Sequence, residues 1–312
     1  MYAKADDYTA TTGMKSYYYR GAVDNNWVKF GKDSTGKDIY WRIIRINGDG
    51  SIRMIYSGTT DPKTDSSVTG SNGVYMTGEG TQISIDAFNI SSYDKAEHVG
   101  YQYIEGQQHG YGKCNGTSAS CTVNENTVYN STIKQAIDKW YAGTTLKDND
   151  LIADQIFCND RSASLTQTAS WTSTGADYYY GAYGRLFNKK EPQLICPTAS
   201  DKFTVNTSNG NGALTYPVGL ITADEVAMAG GKSGTSNSSY YLYTKQHYWS
   251  GSPYDFASSG ARAGEFFVNS SGYLNTFDVD SSSGARPVVS LSSKAKLSGS
   301  GTYSNPYTVS SD

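Results

Sequence analysis

Tyr248-Trp249-Ser250-Gly251-Ser252-Pro253 and Gly284-Ala285-Arg286-Pro287-Val288-Val289-Ser290-Leu291 bracket the stretch on which the fold turns. Both anchors carry the apolar and stiff residues that a core needs. Between them runs a segment of Ser, Asn, Gly, Asp and Tyr with two strand-like pieces. These are Glu265-Phe266-Phe267-Val268-Asn269 and Tyr273-Leu274-Asn275-Thr276-Phe277-Asp278-Val279, with Ser270-Ser271-Gly272 as their turn. Tyr254, Phe256, Tyr273 and Phe277 are aromatic handles among polar residues of the kind that surfaces use for adaptable contacts. The pattern is a fixed frame carrying a displayed face.

Working outward, the N-terminal part supplies the other half of the frame. Trp27-Val28-Lys29-Phe30 alternates as a short strand, and Ile39-Tyr40-Trp41-Arg42-Ile43-Ile44-Arg45-Ile46 is rich in β-branched and aromatic residues. Asn47-Gly48-Asp49-Gly50 predicts a hairpin turn that returns through Ser51-Ile52-Arg53-Met54-Ile55-Tyr56. Gln82-Ile83-Ser84-Ile85 and Val99-Gly100-Tyr101-Gln102-Tyr103 are further strand candidates. The period then changes: Ile133, Ile137, Trp140 and Tyr141 define one helical face, with Asn130 or Ser131 as its cap and Gly143 as its stop. A second short helix is expected through Leu151, Ile152 and Ile156 toward Cys158. Trp171 and Tyr178-Tyr179-Tyr180 fall in a long Ser/Thr/Gly loop, where the Tyr triplet suits either a contact surface or packing beneath the loop. Thr222-Ala223-Asp224-Glu225 is a capping box that starts a third helix, and Gly230-Gly231 ends it. Asn305-Pro306-Tyr307-Thr308-Val309 returns as an edge strand.

The hairpin and the closing Arg286-to-Leu291 strand are too short to bury themselves, so pairing them in one sheet is the simplest arrangement. The result is an α+β domain over residues 17–312, with two or three short helices and long loop insertions, preceded by a stalk or linker remnant over residues 1–16. A net charge of −3 and a pI of 5.7 offer no basic field for nucleic acid. With 37% hydrophobic residues and a mean hydropathy of −0.54, the core is spread thinly, but 13% aromatic content argues against disorder. No signal peptide or membrane-spanning run is present. Four cysteines permit three pairings. Cys114–Cys121 with Cys158–Cys196 is favoured, because the first pair closes a short polar loop, and this implies an oxidising, extracellular setting. Unpaired buried thiols are the alternative; zinc lacks a Cys-x-x-Cys spacing.

Tyr248-Trp249-Ser250-Gly251-Ser252-Pro253, followed by Gly284-Ala285-Arg286-Pro287-Val288, resembles the C-type lectin fold in the branch of formylglycine-generating-enzyme-like proteins. Paired terminal strands belong to that fold. The chain from about residue 17 onward is also similar to exported surface and pilin-like proteins of gut Firmicutes. That similarity rests on Tyr18-Tyr19-Arg20-Gly21-Ala22-Val23, Trp41-to-Gly50, Phe157-Cys158-Asn159-Asp160-Arg161 and Gly219-to-Glu225. Many such relatives carry a prepilin-like or other N-terminal anchor, which is not seen in this sequence; it would be the membrane attachment of an extracellular, cell-surface protein. A narrower similarity is to the variable proteins of diversity-generating retroelements. They use this fold and place their hypervariable positions between a Trp-Ser anchor and the closing Arg-Pro strand. Adenine mutagenesis of Asn codons yields residues such as Asn, Ser, Asp, Gly and Tyr, in which Tyr254 to Ser283 is rich.

Two functional readings follow. In the first, a non-enzymatic receptor or adhesin-like module presents Tyr254, Asp255, Phe256, Ser258, Ser259, Arg262, Tyr273, Asn275, Asp278, Asp280, Ser281 and Ser282 to a protein or glycan on another cell or phage. In the second, a structural or minor-pilin-like subunit merely turns polar loops to solvent. Trp249 is expected in the core, and Arg286 in an ion pair or a backbone contact. Enzyme chemistry has little support. His98, His109 and His247 are far apart, no cysteine lies beyond Cys196 to supply a C-terminal thiol pair, and no nucleophile, phosphate-loop or zinc-protease motif occurs. No cofactor is expected. Calcium ligation lacks a Glu-Pro-Asn or Trp-Asn-Asp pattern. Asp278 and Asp280, with Glu265 or Asp255, are a possible cation set, and solvated carboxylates are the plainer reading. Asp148-Asn149-Asp150 lacks a calcium loop's glycine and terminal glutamate.

Overall fold

The computed structural model describes residues 2–5, 14–70, 73–90 and 92–311. The fold is mixed α+β, dominated by an eight-stranded and a six-stranded sheet. The first sheet grows from the hairpin Asp38–Ile46 and Ile52–Tyr56, in register at Ile46↔Ile52 and Trp41↔Tyr56. Asp49 sets its turn by accepting from the Ser51 amide at 2.9 Å, while Gly50 takes a φ of 84° that a side chain would strain. Val288–Leu291 pairs with Ile52–Tyr56, so the closing segment joins the opening hairpin as the sequence predicts.

Trp27–Lys32 lines the other edge of Asp38–Ile46. Tyr307–Ser310 runs parallel to Trp27–Lys32 but is also covered by Lys296–Ser298, so it is not the edge strand that its sequence suggests. Within the segment read as a stalk, Tyr2–Ala5 pairs with Lys15–Tyr18; residues 1 and 6–13 lie outside the described residues.

The helix Thr132–Ala142 forms where the period calls for it. Ser131 caps it by accepting from the Lys134 amide, Gly143 closes it, and Ile133, Ile137 and Tyr141 are buried. The helix Ala223–Ala229 has the full capping box of Thr222 and Glu225. Glu225 also receives the buried guanidinium groups of Arg45 at 2.9 Å and Arg53 at 2.7 Å. Burial alone would raise the Glu225 carboxyl, but these two cations outweigh it and hold the group ionised.

The helix expected through Leu151 to Ile156 does not form. Its backbone is committed elsewhere: the Asn149 side chain accepts from the Leu151 amide, and the Ala153 amide donates to Ser290. Asp154 meanwhile accepts from the amides of Val205 and Asn206, and Phe157–Cys158 pairs as strand with Lys202–Phe203. Conversely, the loop expected around the Tyr triplet is ordered structure. Tyr178–Tyr179 is a strand, followed by a helical turn Gly181–Tyr183 and a wider π-type turn Gly184–Lys189.

Cys114–Cys121 and Cys158–Cys196 are both disulfide-bonded, which fits an extracellular or secreted protein. No helix among the described residues is long and apolar enough to cross a membrane.

The second sheet holds the displayed segment. Tyr248–Ala257 is its longest strand, flanked by Arg262–Val268 and then Leu274–Asp278 on one side. On the other side it meets Tyr178–Tyr179 at one end and Ser282–Ala285 at the other, with Ser84–Ala87 beyond. Trp249 is fully buried and donates its indole N–H to Asp86. Arg286 is also buried, bound to the Tyr56 carbonyl at 2.9 Å and lying 4.7 Å from the Tyr248 ring centre. These anchors fix the second sheet against the first through one apolar cluster containing Trp41, Trp249, Phe267 and Val288.

Candidate functional site

Register decides which displayed residues meet. Tyr179, Asp255, Gly264 and Asp278 lie opposite one another across four strands and so share one face of the sheet. Tyr178, Phe256 and Ala263 form the next row and point into the core. Phe256, expected on the ligand face, is 3% exposed, because strict alternation turns it inward.

Regular alternation would also turn Tyr254 inward. A bulge between Pro253 and Asp255 prevents this. Tyr254 instead packs edge-on against Phe266, with centroids 4.7 Å apart, on the same side as Asp255. Gly264 makes room for the Asp255 carboxyl: a Cβ there would collide with Asp255 Oδ1 and lie 2.7 Å from Thr276 Oγ1.

Beside Tyr254 stands an aromatic ladder. Tyr179 stacks on Tyr183 with centroids 4.0 Å apart, and Tyr183 stacks on Phe187 at 5.0 Å. Tyr254 meets Tyr183 edge-to-face at 5.1 Å. The ladder exists because the strand ending at Tyr179 runs straight into the two helical turns, which place every fourth residue on one side. Tyr179, Tyr183 and Tyr254 are half-buried, and Phe187 is 42% exposed. Within the triplet, Tyr178 and Tyr180 are buried while Tyr179 is half-exposed, so alternation packs two rings beneath the surface and leaves one at it.

Polar groups border the ladder. Asp177 accepts from the Ser258 amide and hydroxyl, both at 2.8 Å, and these bonds hold its carboxyl below the usual range. Asp255 goes the other way: burial, reinforced by the charges of Asp177 and Asp278 against that of Arg262, pushes its carboxyl up to about 7. Arg262 pairs with Asp278 at 3.2 Å on the exposed surface. Ser259 is exposed at the tip of the hairpin joining Tyr248–Ala257 to Arg262–Val268.

The other expected ligand residues separate from this group. Tyr273 precedes its strand, and its hydroxyl accepts from the side-chain Nδ2 of Asn275. Asn275 pairs in register with Phe267, on the opposite face. Asp280 and Ser281 lie in the turn after Leu274–Asp278, where the Ser281 amide bonds the Asp278 carbonyl; Ser282 starts the next strand. Ser282 lines a separate cleft with Gln82, Ile85, His247 and Phe277 on that opposite face. The expected cation set is likewise not assembled. Asp280 has left the strand, and Glu265 faces away from Asp278, buried against Phe277 in register. Among the described residues no group of three or more His, Cys, Asp or Glu is placed to hold a metal ion. The histidines sit apart, His98 against Tyr103, His109 on Asp201 and His247 against Phe267.

The sequence reading missed Tyr183, Phe187 and Asp177. The signal was present as aromatics at Tyr179, Tyr183 and Phe187, a helical step of four, but Gly181 and Gly184 between them read as loop. No family model, curated protein or solved structure matches the chain.

Proposed function

We propose that this chain is a non-enzymatic ligand-binding module of the cell surface, with the ladder Tyr179–Tyr183–Phe187 and Tyr254 as its recognition face. The observation that carries the reading is the half-exposed aromatic ladder beside the bulge that turns Tyr254 out to it. Rigid rings give contact area at little entropic cost, and Asp255, Ser258, Arg262 and Asp278 border them with hydrogen-bonding groups. A protein or glycan on another cell or phage is the class of partner. The paired terminal strands and the buried anchors Trp249 and Arg286 support a C-type-lectin-like reading of the architecture. The disulfides support an extracellular location, in which an N-terminal anchor would hold the module to its cell.

A displayed face of this kind is a target for diversification, as in the variable proteins of retroelements that the segment resembles. Resequencing the DNA encoding Tyr248 to Leu291 across many cells of the source population tests this. Substitutions are expected at Tyr254, Ser258, Ser259 and Arg262, with Trp249, Arg286 and Pro287 fixed. Variation no greater than in the hairpin of Asp38–Ile46 and Ile52–Tyr56 sinks the diversified-receptor reading and favours a fixed structural subunit.

A further inference from the structure

At the far end of the ladder the surface changes character. Phe187 is its last ring, and Lys190 Nζ lies 5.1 Å from that ring's centre. Lys190 also enters a cleft of about 270 Å³ that Arg20 and Lys232 line with it. These three cations come from separate parts of the chain: the N-terminal segment, the end of the π-type turn, and the residues after the helix Ala223–Ala229. Among the described residues no acidic side chain lines the cleft. The ion pairs of the described residues that involve Lys or Arg use other cations, so none of these three is neutralised there. In a chain whose net charge is −3, three unopposed cations around one concavity focus a positive field.

Two further observations point the same way. Lys190 is held at a φ of 61°, a left-handed conformation that glycine or asparagine would adopt at lower cost. Its ammonium lies between the ladder's last ring and the cleft. The negative end of the neighbouring helix is also quenched: Gly230 and Gly231 amides cap its last carbonyls, and Asn237 donates to the Gly230 carbonyl. The remaining walls combine the hydroxyls of Ser233 and Thr235 with the apolar surface of Leu186 and Pro192. Cations, hydroxyl partners and an apolar wall together match an acidic sugar, with an anionic group, ring hydroxyls and a C–H face.

We propose that the cleft of Arg20, Lys190 and Lys232 binds an acidic sugar residue of a glycan whose neighbouring residues lie along the aromatic ladder. The proposal rests on the ladder being the recognition face and adds the anionic group of its ligand. Carboxylate and sulfate share this chemistry, and the probes separate them.

The test uses the intact disulfide-bonded chain and matched oligosaccharides: sialylated and desialylated, uronate and neutral, sulfated and unsulfated. Affinities are measured at low and physiological salt. The acidic member of the carboxylate pairs, the sulfate pair or both is expected to bind at least ~10-fold more tightly, with the preference shrinking as salt rises. The double variant Lys190→Gln and Lys232→Gln is expected to lose that preference and keep the affinity for the neutral member. Tyr183→Ala should weaken both members alike. Equal binding of acidic and neutral members to the wild type overturns the cleft proposal while leaving the ladder reading intact. A double variant that keeps the preference also overturns it. Undiminished binding by Tyr183→Ala overturns the ladder reading instead. Failure of every acidic probe to bind overturns the cleft proposal.

Discussion

Asp255 and Glu265 show how a single strand register assigns two acids to different surroundings. Asp255 lies over Gly264 on the partly open face, whereas Glu265 is fully buried opposite Pro253 and Phe277, with no hydrogen bond to either carboxyl oxygen. Burial raises both acids, Asp255 to about 7 and Glu265 well above its ordinary value. The sign for stability follows directly. Between the ordinary carboxyl pKa and the raised one, the folded chain keeps a proton that the unfolded chain has lost. Stability therefore falls as pH rises through that window. For Asp255 the window runs from about 4, the unperturbed value, to about 7 in the fold. Asp255→Asn is expected to be more stable than the wild type at pH 8, by on the order of 2 kcal/mol after allowing for partial contact with water, and to differ little near pH 4. Urea melts of both proteins across this range check it; parallel curves at all pH values would contradict it. From sequence, Glu265 was an alternative to Asp255 as a cation partner of Asp278 and Asp280. Alternation within its own strand puts it on the side of the buried Ala263 and Phe267.

The elements were legible to different degrees for physical reasons. The hairpin of Asp38–Ile46 and Ile52–Tyr56, the helix Thr132–Ala142 and the capping box at Thr222 are specified by neighbours in sequence, and local patterns revealed them. The stretch from Leu151 to Ile156 has helical spacing, but amide and side-chain partners in distant segments win over that propensity. The bulge had a clue in Pro253, because a proline inside a paired strand marks a bulge or an edge. At the helix Ala223–Ala229, local capping and long-range charge meet in one side chain. Glu225→Gln leaves the buried Arg45 and Arg53 without their anion. It is expected to cost about 3–5 kcal/mol, far beyond the ~1 kcal/mol of a lost cap. Chemical denaturation beside Thr222→Ala, which removes only the cap hydroxyl, separates the two. Equal losses would mean that the ion pairs contribute nothing net.

At the scale of the whole molecule, the chain ends share one sheet and the displayed segment belongs to another, with Trp249 and Arg286 securing the second against the first. The disulfide between Cys158 and Cys196 ties the segment ahead of the Tyr triplet to the residues after the π-type turn, so both flanks of the ladder are tethered. The frame was readable in the sequence because its strands are short β-branched and aromatic runs joined by a turn signal at Asn47-Gly48-Asp49-Gly50. Of the proposed binding face, only Tyr254, Asp255, Ser258, Ser259, Arg262 and Asp278 were readable. Its other half comes from Tyr179, Tyr183 and Phe187, which the fold brings alongside from a distant part of the chain.

That juxtaposition is the centre of the account, and one comparison tests it most directly. The wild type and Tyr183→Ala, matched for circular dichroism and melting temperature, are applied to immobilised panels of glycans and bacterial and phage surface proteins. Truncating the ring that contacts Tyr179, Phe187 and Tyr254 is expected to weaken every specific interaction at least ~10-fold, or about 1.4 kcal/mol. A correctly folded variant that retains wild-type affinity would show that the ladder is not the binding face.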